Sequence, residues 1–368
     1  MKRNIHVLQI AFTYIGTIVG AGFATGQEIL QFFTQYGRWA TLTIMLSTLV
    51  FIWLGTRMML MAHDISAQSY EDLNKHLFGS NAGKWISWFT LIVLIGVNSV
   101  MLAGSGSVFV EQLHLHYQTG LLITLIGTYL LLNKGIKAIL HMNTIVVPLM
   151  ITISILLVHS TLSMPNPHSF ITNTTDHSAL RTWISPILYT SFNLAMAQVV
   201  LVPLGSQTYS RNTIRWGGVL GGIGVGFMLM AAHFVMSAQM PGIQQFEIPM
   251  GSIAYRLGAL VEIIYILLIF MEIFSTFVAD IYGLSLQIRQ HVQVSPKLVT
   301  LFIMLTCFLI SQFGFSSLLS VLYPIFGVLS LIWVSKLIMA GRGKPIRSSR
   351  PHSSFRYPNS KSGDTRHG

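Results

Sequence analysis

The stretch Gly16-Thr-Ile-Val-Gly-Ala-Gly-Phe-Ala-Thr-Gly-Gln-Glu28 determines how the rest of the chain is interpreted. It continues the apolar run 7–19 and places Gly20, Gly22 and Gly26 within seven residues. Backbone amides and carbonyls cannot stay unpaired in lipid, so a glycine-broken membrane helix is tolerated only where these groups face a cavity or a ligand. The stretch predicts a discontinuous membrane helix at the centre of a binding site. A glycine-rich packing surface between helices is the alternative.

The composition is that of an integral membrane protein. Of the 368 residues, 52% are hydrophobic and only 9% are charged, whereas soluble domains carry about 25% charged residues. The mean hydropathy is +0.63. The single cysteine, Cys307, excludes an internal disulfide framework and disfavours a cysteine-based metal site. The formal charge of +11 does not indicate a nucleic-acid partner, because Lys and Arg lie between apolar segments and in the tail, where they set membrane topology.

Ten segments are long and apolar enough to be transmembrane helices, which need about 20 mostly apolar residues. An odd number of spans per half makes the two halves, about 7–162 and 183–340, enter the membrane from opposite sides. We predict an all-α integral membrane domain over 1–340, with a 5+5 inverted repeat and with helices 1 and 6 discontinuous. The predicted spans are 7–35, 39–61, 85–110, 118–133, 143–162, 183–204, 215–238, 252–286, 297–312 and 315–340.

The basic residues predict the orientation of the chain. If the N-terminus is cytoplasmic, only Arg38, Arg181 and Arg256 lie outside, which leaves nineteen of the 22 Lys and Arg inside (22 minus 3). Such a separation favours cytoplasmic N- and C-termini. Residues 341–368 are rich in Arg, Ser, Pro and Gly with few aliphatic side chains, which predicts a disordered basic cytoplasmic tail. This tail either contacts anionic lipid headgroups or is simply solvated.

The sixth span provides a second unusual segment. Within 185–205 it carries the polar residues Tyr189, Ser191 and Asn193 in an otherwise apolar context, followed by Pro203. Unusual segments at corresponding positions of two repeats point to a binding site near the membrane midplane. The many glycines of the seventh span, over 217–226, favour close helix packing instead.

The eighth span contains three acidic residues, Glu262, Glu272 and Asp280. Charge at membrane depth is costly, so each is a functional candidate. At about 100° per residue they fall on one polar stripe together with Thr276. We expect Glu262 near the outer end, Asp280 near the inner end and Glu272 to be the most buried.

Two functional roles suit Glu272. A carboxyl group at low dielectric favours its protonated form and can carry a proton. Alternatively, an ionised Glu272 can help to hold Na⁺ together with Ser275 and Thr276, which lie three and four positions further on. A structural hydrogen bond to a neighbouring helix is the non-functional alternative. We expect Glu28 at the outer mouth of the site.

The first-helix motif Gly16-Thr-Ile-Val-Gly-Ala-Gly-Phe-Ala-Thr-Gly-Gln-Glu-Ile-Leu-Gln-Phe-Phe33 closely resembles that of the bacterial YkvI-type membrane proteins. The segments Ser191-Phe-Asn193 and Val202-Pro-Leu-Gly205 are similar to the sixth helix of that family, and the resemblance extends to about residue 340. The family looks like a branch of the amino acid–polyamine–organocation superfamily. The resemblance implies a leucine-transporter-like fold in the bacterial cytoplasmic membrane, working by alternating access.

The resemblance also implies roles for individual residues. In that superfamily the amides of the first-helix break often bind a substrate carboxylate, and Gly20-Ala21-Gly22-Phe23 matches that break. Sodium-coupled members hold a cation between this break and the eighth helix. By that analogy the ion-coupling residues are Gly20, Phe23, Glu272, Ser275 and Thr276. An acidic residue at position 272 differs from the best-known sodium sites, so both H⁺ and Na⁺ stay open.

Together these features predict an ion-coupled secondary transporter of a small amino-acid-like solute. The alternative is a membrane receptor that binds a small molecule on the same fold without transporting it. We expect no enzyme activity, because we find no nucleophile motif, metal-ligand spacing or phosphate loop. Glu28, Glu262 and Asp280 are candidates for a gate or pathway. The predicted substrate-binding residues are Gly20, Ala21, Gly22, Phe23, Gly26, Tyr189, Ser191 and Asn193.

Overall fold

The structure is a computed structural model that describes residues 2–67, 69–132, 137–164, 166–208, 210–291 and 294–340. The predicted tail 341–368 lies outside the described residues. The α-helices are α1 (Lys2–Ile18), α2 (Ala21–Thr25), α3 (Gln27–Phe32), α4 (Trp39–Val50), α5 (Thr56–Ile65), α6 (Tyr70–Phe78), α7 (Ser80–Glu111), α8 (Tyr117–Leu132), α9 (Lys137–Leu162), α10 (Ser169–Thr172), α11 (Ala179–Gln207), α12 (Arg211–Ser237), α13 (Pro249–Ala254), α14 (Ala259–His291), α15 (Pro296–Ser311) and α16 (Phe315–Met339).

The predicted all-α membrane fold is confirmed. Among the described residues, six helices are long and apolar enough to cross a membrane. They are Trp39–Ile65, Ser80–Glu111, Ala179–Gln207, Arg211–Ser237, Ala259–Ser285 and Phe315–Met339. Shorter apolar helices, His6–Ile18, Tyr117–Leu132, Val146–Leu162 and Lys297–Ser311, fall in the other four predicted spans. The count of ten crossings and the 5+5 repeat stay predictions.

The first span is broken, as predicted. Helix α1 ends at Ile18, Gly20 takes an extended conformation, and α2 starts at Ala21. A second interruption follows at Gly26, whose φ of 86° is left-handed and favours glycine. All five residues of α2 are buried.

The predicted break in the sixth span is wrong. Helix α11, described in full from 179 to 207, is continuous through Pro186 and Pro203. Each proline removes only one main-chain hydrogen bond. Polar side chains bond back to carbonyls one turn earlier: the Thr190 hydroxyl donates to the carbonyl of Pro186 at 2.8 Å, and the Asn193 amide donates to the carbonyl of Tyr189 at 3.0 Å. These two polar side chains are therefore satisfied within an intact helix.

The eighth span starts later than predicted. Instead of one helix from 252, the short α13 and a 3₁₀ turn, Tyr255–Leu257, precede α14. Gly258, at φ of 101°, separates this turn from α14 because a left-handed residue cannot continue a right-handed helix.

The glycines of α12 form a packing face, as expected. A side chain at Gly221 would collide with the ring of Tyr14, and one at Gly222 with the backbone of Ile52. Helix α12 therefore packs closely against α1 and against the π-helical turn Phe51–Gly55 that joins α4 to α5.

We expect the Gly222→Ala variant to lose stability. The new Cβ would stand 2.8 Å from the Cα and N atoms of Ile52, and backbone atoms cannot move aside as a side chain can. Overpacking of this kind costs about 1–3 kcal/mol. The thermal midpoint of the purified protein in detergent measures the effect. Gly283→Ala is the matched control, because nothing lies within 4 Å of the added Cβ; equal midpoints for the two variants would contradict the packing argument.

The loops gather at two opposite ends of the helices. At one end, called the cleft end, the amide of Arg38 donates to the carbonyl of Asn173 at 2.8 Å, and the Asn173 side chain donates to the carbonyl of Ser237 at 3.0 Å. At the other end, Arg211 pairs with Asp64. Arg38, predicted to lie outside, is thus separated from Arg211, predicted to lie inside.

Candidate functional site

The carboxyl group of Glu28 lies inside the helix break, not at its outer mouth as expected. Glu28 stands in the first turn of α3 and is 3% exposed. Its side chain folds back over Gly22, where any added side chain would overlap the carboxyl group. The left-handed turn at Gly26 redirects the chain between α2 and α3. The two glycines therefore make room for the acid and bring it to the break.

Two tyrosines from other helices lie beside this acid. The phenols of Tyr189 on α11 and Tyr323 on α16 both lie close to the carboxyl of Glu28, although the Tyr189 hydroxyl makes no hydrogen bond within the described residues. The ring of Tyr189 is held by Phe32 and Phe33, with ring centroids 5.4 and 5.1 Å away. Tyr189 is a predicted site residue. Tyr323 was missed, although a phenol directly before Pro324 in an apolar span is a weak signal of the same kind.

The other polar residues predicted on α11 have different positions. Asn193 is buried, and its side-chain amide donates a hydrogen bond to the carbonyl of Tyr189. Ser191 is buried too, but it lies two residues, or about 200°, around the helix from Tyr189 and therefore faces away from Glu28. The unbroken helix thus brings Tyr189, but not Ser191, to the acid.

Glu272 on α14 is fully buried, at 0% exposed. Neither of its carboxyl oxygens has a hydrogen-bond partner within the described ranges. On the same helix, the Tyr265 hydroxyl donates to the carbonyl of Ala24 in α2 at 2.9 Å. Glu272 follows seven residues later, which places it about 20° from Tyr265 and about 10 Å along the axis. Glu272 therefore lies on the face of α14 that contacts the broken helix.

Helix α7 links the two parts of the predicted ion site. Its Met101 side chain lies 3.2 Å from where a Cβ on Gly20 would stand, and a Cβ on its Gly104 would lie 3.6 Å from Ile273. Because Met101 and Gly104 are three residues apart, they occupy one face of α7. Gly20 and Ile273, the sequence neighbour of Glu272, therefore pack against the same short stretch of α7.

The hydroxyl groups near Glu272 differ in their partners. Ser275 donates to the carbonyl of Glu272 at 3.2 Å. The Thr276 hydroxyl is buried without a hydrogen-bond partner in the described part of the chain. A carboxyl group and a free hydroxyl one turn apart supply oxygen ligands of the type that Na⁺ prefers.

The remaining acids of α14 are separated along its length. Asp280 accepts a hydrogen bond from the Asn98 amide of α7 at 3.4 Å, and it also interacts with Tyr323. Tyr323 is thus near both Glu28 and Asp280. Glu262 stands in the first turn of α14, where an acid is favoured by the helix dipole.

A cleft of about 610 Å³ opens at the cleft end of the protein. Leu188 and Pro324 line it and are the immediate neighbours of Tyr189 and Tyr323. The cleft therefore reaches the sequence neighbours of both tyrosines and, through Gln27, of buried Glu28. The polar residues that line the cleft include Gln27, Gln31, Gln35, His177, Arg181 and Ser316.

The comparisons with known proteins place this architecture among membrane proteins. The chain is 37% identical over 337 residues to the uncharacterised membrane protein YkvI of Bacillus subtilis, covering 90% of this chain and 94% of that protein. It is 26% identical over 325 residues to YyaD of the same organism, covering 88% and 94%. No protein-family model matches the chain.

Solved structures show the same fold at low sequence identity. MhsT in complex with L-phenylalanine aligns with a TM-score of 0.63 and 16% identity, covering 90% of this chain and 91% of that chain. The Eremococcus coleocola manganese transporter bound to an aromatic bis-isothiourea compound aligns with a TM-score of 0.60 and 12% identity, covering 91% and 78%. The second of these proteins is a transporter, and the fold that both share with this chain is the leucine-transporter-like one.

Proposed function

The chain belongs to the YkvI-type family of bacterial membrane proteins, and from that premise we propose that it is an ion-coupled secondary transporter of a small amino-acid-like solute. The proposal rests on the buried carboxyl of Glu272, which has no hydrogen-bond partner among the residues that the structure describes. Burying an ionised carboxylate without a partner is very costly, so the group is either protonated or bound to a cation. These are the two states between which a coupling site alternates.

The solute site in this proposal is the helix break. The amides at the start of α2, over Ala21 to Phe23, receive the anionic end of the solute at the positive end of the helix dipole. Glu28 receives its cationic end, with Tyr189 and Tyr323 closing the site toward the cleft. All of these groups are buried, which supports a closed conformation that opens when one set of helices rocks against the rest.

Transport of a metal ion is the other solute class to consider, since a manganese transporter shares the fold. The described residues contain no group of three or more His, Cys, Asp or Glu side chains that could hold a metal ion. The break instead offers the acid Glu28, the phenols of Tyr189 and Tyr323, and the amides at the start of α2. This set favours a small zwitterion over a divalent cation as the solute.

Counterflow in proteoliposomes tests the proposal. The solute is first found by a thermal-shift screen of the purified protein against the twenty amino acids, because a bound ligand raises the midpoint. We expect vesicles preloaded with that unlabelled amino acid to accumulate its labelled form, and an imposed proton or sodium gradient to drive net uptake. Binding without exchange would overturn the transporter and support a receptor.

A further inference from the structure

The cleft is lined by polar side chains that have no role in the transport proposal. Ten of the fifteen residues that line the cleft have amide, hydroxyl, imidazole or guanidinium side chains. None of the fifteen is Asp or Glu, and the one fixed charge is that of Arg181. The lining therefore suits a polar ligand with a negative group and disfavours a ligand that is only a cation.

The strongest single feature is Gln27, which begins α3 directly before Glu28. Gln27 lines the cleft and is only 9% exposed. Its amide nitrogen donates to the hydroxyl of Ser316 on α16 at 3.1 Å, but its amide oxygen has no hydrogen-bond partner among the described residues. A buried acceptor of this kind favours a ligand that supplies an N–H or O–H donor.

Arg181 supplies the complementary charge at the start of α11. It is exposed, and no carboxylate in the described part of the chain forms an ion pair with it. A guanidinium group binds a carboxylate through two parallel hydrogen bonds. Gln31 and Gln35 also line the cleft and follow Gln27 at intervals of four residues. Glutamine side chains offer both donors and acceptors to a ligand amide or hydroxyl.

We propose that this cleft is a recognition site for a zwitterionic amino acid with a neutral, hydrogen-bonding side chain, of which L-glutamine is the representative. Arg181 binds the carboxylate, Gln27 accepts from a donor of the ligand, and the remaining glutamines bind the side chain. The inference rests on the proposed function, since it makes the cleft the first site on the path to Glu28. A site built to hydrogen-bond a polar side chain rejects an analogue that leaves its groups unpaired.

Isothermal titration of the full-length protein in lipid nanodiscs tests this site. The probes are L-glutamine, L-phenylalanine, succinate and putrescine, which separate the polar zwitterion from an apolar zwitterion, an anion and a cation. We expect L-glutamine to bind most tightly. The Arg181→Gln and Gln27→Leu substitutions are each expected to weaken the binding of L-glutamine by about tenfold. Arg256→Gln, an exposed arginine outside the cleft lining, is the matched control and is expected to change nothing.

The outcomes separate this inference from transport. If L-phenylalanine or putrescine binds as tightly as L-glutamine, if L-glutamine does not bind, or if Arg181→Gln and Gln27→Leu leave its affinity unchanged, the cleft assignment is overturned. Counterflow of another solute would leave the transport proposal standing in each of these cases. If L-glutamine binds with the expected variant effects but shows no counterflow, the recognition site stands and the transporter fails. Unliganded thermal midpoints near that of the wild type confirm that both variants are folded.

Discussion

Replacing Glu272 by glutamine is expected to lower gradient-driven uptake strongly while leaving the fold and solute exchange in place. Glutamine has the size of glutamate, but it can neither release a proton nor offer a negative charge to a cation. Both carboxyl oxygens lack a hydrogen-bond partner within the described residues, so the substitution removes no observed structural bond. Uptake is expected to fall by about 5- to 150-fold, the usual range for a coupling free energy between two sites.

The measurement uses proteoliposomes loaded for two separate gradients. A proton gradient without sodium and a sodium gradient at equal pH are imposed in turn, which also identifies the coupling ion in the wild type. Glu71→Gln is the matched control, because Glu71 pairs with Lys75 on the short helix α6, away from the broken helix. Wild-type uptake by the Glu272→Gln protein under both gradients would disprove the coupling role.

The sequence predicts those features of the fold that depend on local backbone preference and hydropathy. The glycines at 20, 22 and 26 predict the broken first helix. Unpaired backbone groups at membrane depth are tolerated only where they face a cavity or a ligand. The same reasoning fails for α11, because Pro186 and Pro203 each cost one hydrogen bond while the helix keeps the others. A proline is therefore a weaker sign of a broken membrane helix than a cluster of glycines.

The candidate site was only partly predictable, since it depends on contacts between distant segments. The helical stripe places Glu272 correctly on a buried face, because periodicity along one helix is a local property. The position of Glu28 depends on the turn at Gly26 and on Gly22, and these fix its direction only in three dimensions. Tyr323 comes from the last helix of the chain, and no local pattern links it to residue 28.

Replacing Glu28 by glutamine is expected to weaken binding of the transported amino acid by about 10- to 150-fold. One hydrogen bond to a charged group contributes about 1.5–3 kcal/mol, which corresponds to this change in the dissociation constant. The reason is that Glu28 is the acid placed inside the break, against Gly22 and close to Tyr189 and Tyr323. Titration calorimetry measures the affinity, and unchanged affinity would remove Glu28 from the solute site.

Tyr323→Phe provides an intermediate case. It removes the phenolic hydroxyl beside Glu28 but keeps the aromatic ring, which packs against Phe192 with centroids 4.4 Å apart. We expect the variant to fold normally and to bind the solute more weakly than the wild type, by less than the Glu28→Gln protein. An effect larger than that of Glu28→Gln would indicate that the phenol, not the carboxyl, contacts the solute.

Gly22→Ala tests the position of the Glu28 carboxyl without changing any charge. A methyl group at residue 22 would overlap this carboxyl and displace it from the break. If both substitutions act on the same group, the Gly22→Ala/Glu28→Gln double variant should bind the solute about as weakly as Glu28→Gln alone. Two independent effects would instead add in free energy, within about 0.3–0.5 kcal/mol. Additive losses would therefore show that Gly22 and Glu28 act separately, and that the folded-back carboxyl is not what binds the solute.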